Sequence, residues 1–201
     1  PFYFRILCLH GKGGNGEEFL ERLLSLRTLL DNRLADEKKR GDVASNVSIK
    51  WEALTAPYQI SDTDTYAWWT MSPGVRSFNA DEYIGFDESA SKVMDAVFPS
   101  NASSAVAEEC IYDLILGHSQ GAILLSALLA TNINLQRSNC GSFILNGAAW
   151  PNPYDEALTS LSAQNTQHRI MKDTRMLFIM GKSDTINPIE SAKQVHDCYK
   201  A

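Results

Sequence analysis

Between an apolar run at 111–116 and a second at 122–130 stands the pentapeptide Gly117-His118-Ser119-Gln120-Gly121. The first run reads as a strand covered on both faces. The second is too long for a strand and rich in helix formers. Glycines on either side of a serine at a strand-to-helix junction permit a sharp, strained turn that pushes the Ser119 hydroxyl out at the end of a sheet. The bland alternative is a packing turn. The same order recurs at the start of the chain, where an apolar run at 2–9 meets Gly11-Lys12-Gly13-Gly14-Asn15-Gly16. Asn15 is the expected N-cap of the helix that follows, with Glu17 and Glu18 at its positive end and Phe19, Leu20, Leu23, Leu24, Leu26 and Leu30 on its apolar face.

The rest of the chain keeps the alternation. Residues 47–54, 142–145 and 176–180 read as further strands, and 88–97 and 188–199 as helices. Residues 31–46 read as a charged loop, 55–86 as a long segment dense in Pro, Gly, Asp and aromatics, and 99–104 as a polar connection. This pattern predicts an α/β fold, a doubly wound and mostly parallel sheet with helices on both faces. A length of 201 residues fits a single domain, 1–201.

Composition removes several function classes. With 44% hydrophobic and 21% charged residues the chain is not a disordered one. Eighteen basic against 24 acidic residues give a net charge of −6, with no basic stripe beyond Lys38-Lys39-Arg40, so no nucleic-acid partner is expected. No run reaches the roughly 18 apolar residues of a membrane-spanning helix. Cys8, Cys110, Cys140 and Cys198 stand singly in mostly apolar contexts without metal-ligand spacing. Free buried thiols in a reducing, cytoplasmic setting are expected, which makes the sequons at Asn46 and Asn101 chance matches. A strand at 2–9 leaves no room for a signal segment, and the pattern runs out in mid-element at 201.

Two motifs compete for the active site. Residues 11–16 match G-x-G-x-x-G in the context of a dinucleotide site, and from Lys12 onward they resemble a deviant phosphate loop. Glu17 and Glu18 then stand where a phosphate loop needs a cation, and the acids some 20 residues on, Asp31 and Asp36, do not end a strand. The alternative joins the motifs. A nucleophilic Ser119 needs donors for the oxyanion of its tetrahedral intermediate. The backbone N–H of Gln120 is one; the other is the N–H of Lys12, with Gly13 in reserve. The orienting acid is expected after the nucleophile and beyond a strand, a place that Asp184 fills, with a turn or cap role before Pro188 as the lesser alternative. The base is harder to place. His196 falls inside the last helix, His10 precedes the glycine turn and is expected to brace it, His118 is directed away from the Ser119 hydroxyl by the turn, and His168 breaks the chain order. Trp68, Trp69 and Met71, with Tyr66, are candidates for an apolar acyl pocket, or equally for ordinary packing.

Leu7-Cys8-Leu9-His10-Gly11, the pair Trp68-Trp69, Gly117-His118-Ser119-Gln120-Gly121-Ala122 and Gly181-x-x-Asp184-x-x-x-Pro188 together resemble the FSH family of serine hydrolases, over nearly the whole chain. The resemblance implies the α/β-hydrolase fold and a small cytosolic carboxylesterase or thioesterase without metal or cofactor. It also implies a catalytic histidine in a C-terminal His-Gly-Gly-His-type loop that is not found here, so the chain is expected to lack its last strand and histidine. His118 stands where members commonly carry Phe. The resulting expectation is a serine hydrolase acting on a small acyl ester or thioester, with a non-catalytic binding module on the same scaffold as its rival.

Overall fold

The computed structural model describes residues 2–99, 109–168 and 174–200. Five strands form one parallel sheet: β1 (Phe2–Leu9), β2 (Val47–Leu54), β5 (Leu114–His118), β6 (Ser142–Asn146) and β7 (Arg175–Ile179), in the order β2-β1-β5-β6-β7. The short antiparallel pair β3 (Tyr58–Gln59) and β4 (Tyr66–Ala67) folds over the segment between β2 and β5. The helices are α1 (Gly16–Arg22), α2 (Leu24–Arg40), α3 (Phe86–Val97), α4 (Gln120–Thr131), α5 (Ile133–Gln136), α6 (Asp155–His168) and α7 (Ile189–Cys198). None among the described residues is long and apolar enough to cross a membrane.

Alternation along the central strands assigns each residue to a face. Ile6, Cys8 and Leu116 point to one side, where Phe19, Leu20 and Leu23 of the α1 region cover them. Leu7, Leu9, Ile115, Phe143 and Leu145 point to the other and join the main core with residues of α3, α4, α6 and α7. Central strands sandwiched in this way must be apolar on both faces, which accounts for the buried runs Ile6–Leu9 and Ile115–Leu116, while Phe2, Tyr3 and Phe4 at the start of β1 are exposed. The α/β, doubly wound parallel sheet expected from the sequence is the architecture observed.

Three element assignments change. The charged stretch at 31–46 is a loop only from Gly41 on: α2 runs to Arg40, where Gly41 caps it in the left-handed region (φ 81°). No residue of α2 is buried, and its surface carries the Arg33–Glu37, Lys39–Asp36 and Arg40–Glu37 pairs at helical spacing. A run of good helix formers paired at i,i+3 and i,i+4 is a solvated helix. Helix α6 was not foreseen; Leu158 and Leu161, both buried, anchor it to the core. Strand β5 begins at Leu114, where pairing with Ile6 starts, and reaches His118 opposite Asn146. The polar connection at 99–104 lies, beyond its first residue, outside the described residues.

The chain runs from β1 outward to β2 and then crosses back to β5 on the other side of β1. The carboxyl ends of β1 and β5 therefore flank the point where strand order reverses, the usual binding crevice of an open α/β sheet. Leu9 pairs with Gly117, so the two glycine turns leave the sheet side by side.

Candidate active site

Strand β5 ends at His118 and α4 begins at Gln120, so a single residue, Ser119, makes the turn. Its backbone sits at φ 50°, ψ −116°, and it is the one non-glycine residue with positive φ among the described residues. The turn brings helix and strand into contact too close for side chains. A Cβ on Gly121 would lie 2.4 Å from the Leu9 carbonyl oxygen, and one on Gly117 would lie 2.6 Å from that of Gly121. The Ser119 N–H donates to the Asn146 carbonyl at 2.8 Å, while the Ser119 carbonyl accepts from Ala122 and Ile123 at 2.9 and 3.0 Å.

The turn after β1 passes within contact of the serine: a Cβ on Gly11 would lie 3.1 Å from Ser119 Cβ. His10 braces this turn from beneath. It is 1% exposed, its Nε2 accepts the Ala56 N–H at 2.9 Å, and its Nδ1–H donates to the Gly11 carbonyl at 2.7 Å. Those two bonds demand the neutral ring. Burial lowers its pKa below the ordinary histidine value, with smaller opposing effects from the Gly11 carbonyl and Glu18.

Half of the amides of residues 11–16 are already committed. Gly13 N–H donates to the Tyr66 carbonyl at 2.8 Å, Gly14 N–H to that of Gly11 at 3.2 Å, and Gly16 N–H to Thr55 Oγ1 at 3.0 Å. A turn that spends three of its donors internally has fewer left to cradle a polyphosphate, and Asp31 and Asp36 both lie on α2 rather than at a strand end. Gly13 is equally withdrawn as the reserve oxyanion donor. The N–H groups of Lys12 and Gln120 meet no acceptor among the described residues, Gln120 because the first residue of a helix has none one turn back.

The Gln120 side chain has a role that spacing alone did not reveal. It is buried, its Oε1 accepts the Trp68 N–H and its Nε2 donates to the Trp69 carbonyl, both at 2.9 Å. The two tryptophans are accordingly not pocket walls. Both are 0% exposed; Trp68 donates its indole N–H to the His10 carbonyl at 2.8 Å, and Trp69 stacks on Tyr83 with centroids 4.3 Å apart. The Trp68 indole N–H thus has its partner in the core, while that of Trp69 is buried without a hydrogen-bond partner among the described residues, its ring held by stacking. Met71 does border a cavity of about 100 Å³ beside Ser119, with Val75, Ile123 and Ile186. A second cavity of about 190 Å³ opens on the other side of the serine, along Lys12, Asn15, Arg22 and His118.

Asp184 follows β7 in a tight turn, its Oδ1 accepting the N–H groups of Ile186 and Asn187, both at 2.9 Å. A Cβ on Gly147 would lie 4.0 Å from both Asp184 Oδ2 and Ser119 N, which puts the carboxylate next to the serine turn. Between them stands Asn187, 7% exposed, whose Nδ2 donates to the Gly147 carbonyl at 2.7 Å and reaches Ser119 Oγ at 3.4 Å. Sequence reasoning missed this residue. The available signal was a polar side chain wedged between the acid and Pro188.

No histidine with a described side chain hydrogen-bonds to Ser119 Oγ. His118 stacks on Phe19 of α1, with centroids 5.8 Å apart, and burial lowers its pKa. His196 lies half-buried on α7, edge-on to Phe178 and 3.0 Å from Asp197 Oδ1. His168 ends α6, and its side chain is outside the described residues.

Comparison with known proteins bears on the family and the fold. The chain is 31% identical over 136 residues to Esterase OVCA2 of Danio rerio, a match covering 63% of this chain and 55% of that protein. It thus spans about half the length of the curated relative it matches. Among solved structures, the crystal structure of esterase PE8 superposes with a TM-score of 0.54 at 19% identity, covering 96% of this chain and 77% of that one, a likeness of α/β-hydrolase fold. The model of the serine hydrolase (FSH1) family matches residues 3–201, and the chain belongs to that family.

Proposed function

We propose that this protein cleaves carboxylic esters or thioesters of small molecules through an acyl-serine intermediate. Ser119 Oγ attacks the carbonyl carbon and its proton passes to a general base. The backbone N–H groups of Lys12 and Gln120 hold the oxyanion, and collapse of the tetrahedral intermediate expels the alcohol or thiol, which takes up the proton. Water then repeats the sequence on the acyl-serine. Asp184 orients the imidazole that serves as the base. The reaction asks for no metal or cofactor. Free, buried thiols at all four cysteines support a reducing compartment, the cytoplasm.

The observation that carries this reading is the strained Ser119 turn with the uncommitted N–H groups of Lys12 and Gln120 beside it.

The test is turnover of p-nitrophenyl butyrate and of the matching thioester by the full-length protein and its Ser119→Ala variant. Hydrolysis that the variant loses by a factor of about 10³ or more supports the reading. Turnover equal in both proteins refutes it. A second reading, a binding module without catalysis, is favoured by Asn187, the one described side chain that hydrogen-bonds to the serine hydroxyl. It predicts saturable ester binding by the full-length protein with no turnover.

A further inference from the structure

Two cavities of different size and chemistry meet at the serine. Lys12 and Ser119 border both, so a carbonyl held between the Lys12 and Gln120 amides sits at their junction, with one limb of the ester on each side. The smaller limb, about 100 Å³, has an apolar wall of Met71, Val75, Ile123 and Ile186 and a polar rim that includes Arg76 and Asn187. An apolar cavity of roughly 150 Å³ takes benzene, so about four carbons fit here. The larger limb, about 190 Å³, is walled by His10, His118, Asn15, Glu18 and Arg22 and by bare backbone of the glycine turn.

Charge separates this site from the rest of the molecule. The chain carries −6, yet the residues bordering the two cavities include three cations, Lys12, Arg22 and Arg76, against one carboxylate, Glu18. Glu18 pairs with Arg22, whose Nη2 donates to it at 2.5 Å, so the two offset each other and the surplus of two positive charges among these bordering residues rests on Lys12 and Arg76. Asp184 borders neither cavity, and its Oδ1 is turned into the N–H groups of its own loop. A positive crevice on a negative protein concentrates anions and repels cations.

We propose that the substrate is an anionic ester or thioester: a short acyl group of about four carbons in the smaller limb and a leaving group bearing a carboxylate or phosphate in the larger one, facing Arg22 and Lys12. The anion belongs to the larger limb because a charged group and its linker do not fit beside an acyl chain in the smaller. This inference rests on the serine-hydrolase reading above and names its substrate class.

The test uses the full-length protein with butyrate esters of phenol, 3-(carboxymethyl)phenol and 3-(trimethylammoniomethyl)phenol, each rate divided by that ester's hydroxide-catalysed rate. At about 20 mM ionic strength kcat/KM for the anionic ester is expected to exceed that for the cationic one by about tenfold or more. At about 0.5 M salt the advantage should shrink to about threefold, as screening shortens the reach of the field. Arg22→Glu should lower the anionic-to-cationic ratio about fivefold or more, and Arg76→Glu should lower it less. Because each ratio is taken within one protein, a variant's overall loss of activity does not enter it. Ser119-dependent turnover with a ratio near one, or a ratio insensitive to salt, overturns the anionic assignment and leaves the hydrolase reading intact. A larger fall in Arg76→Glu than in Arg22→Glu overturns the placement of the anion. Absence of Ser119-dependent turnover of any of the three esters overturns both readings.

Discussion

At Ser119 the backbone is held at φ 50° by hydrogen bonds on both sides, from its own N–H to Asn146 and from Ala122 and Ile123 to its carbonyl. A side chain in such a conformation costs about 1–3 kcal/mol, which the surrounding bonds must offset. Ser119→Gly is therefore expected to be more stable than Ser119→Ala by about 1 kcal/mol, since both lose the hydroxyl and only alanine keeps the strained Cβ. Urea midpoints of the two variants check this, and equal midpoints would contradict it. Gln120 carries a different kind of dependence. Removing its amide leaves the Trp68 N–H and the Trp69 carbonyl buried and unpaired, at about 1–3 kcal/mol each. Gln120→Met keeps the volume and loses both bonds, so it is expected to destabilise by about 2–6 kcal/mol in equilibrium unfolding. The G-x-S-x-G spacing was enough to locate Ser119 because a strained turn leaves a compositional mark. It said nothing of the Gln120 amide, whose partners are over fifty residues away. The burial of the tryptophans depends on those same distant partners, which is why pocket and core could not be told apart from sequence.

At the scale of elements, the apolar strands and α4 were legible because burial on both faces forces uninterrupted hydrophobic runs. Helix α2 was not, since it buries nothing and its sequence looks like a charged loop until its ion pairs are set at helical spacing. The turn joining β1 to α1 has a pH dependence of its own. Burial lowers the pKa of His10 and of His118, so in the folded state both resist a proton that the unfolded chain accepts near its ordinary value of 6.5. Below about that pH the unfolded state binds more protons, and stability falls as pH falls. Between pH 7 and pH 5 the urea midpoint should drop, and His118→Gln should flatten the decline. A midpoint that rises toward pH 5 would contradict the neutral, doubly bonded His10.

In the whole molecule, strand order decides where the chemistry can be. The reversal between β1 and β5 sets the two glycine turns side by side, and the β7 loop delivers Asp184 and Asn187 to the same end of the sheet. The sequence alone supports the order serine then acid, because each follows an apolar strand. Asn187 escaped it, because only the folded chain shows that the β6 and β7 loops close over the serine. Intact-mass and peptide-mapping spectrometry of the full-length protein after a fluorophosphonate probe tests the central claim, a nucleophilic Ser119, most directly. One adduct is expected, on the peptide carrying Ser119 and absent from Ser119→Ala; an unlabelled full-length protein, or an adduct on any other residue, would contradict it.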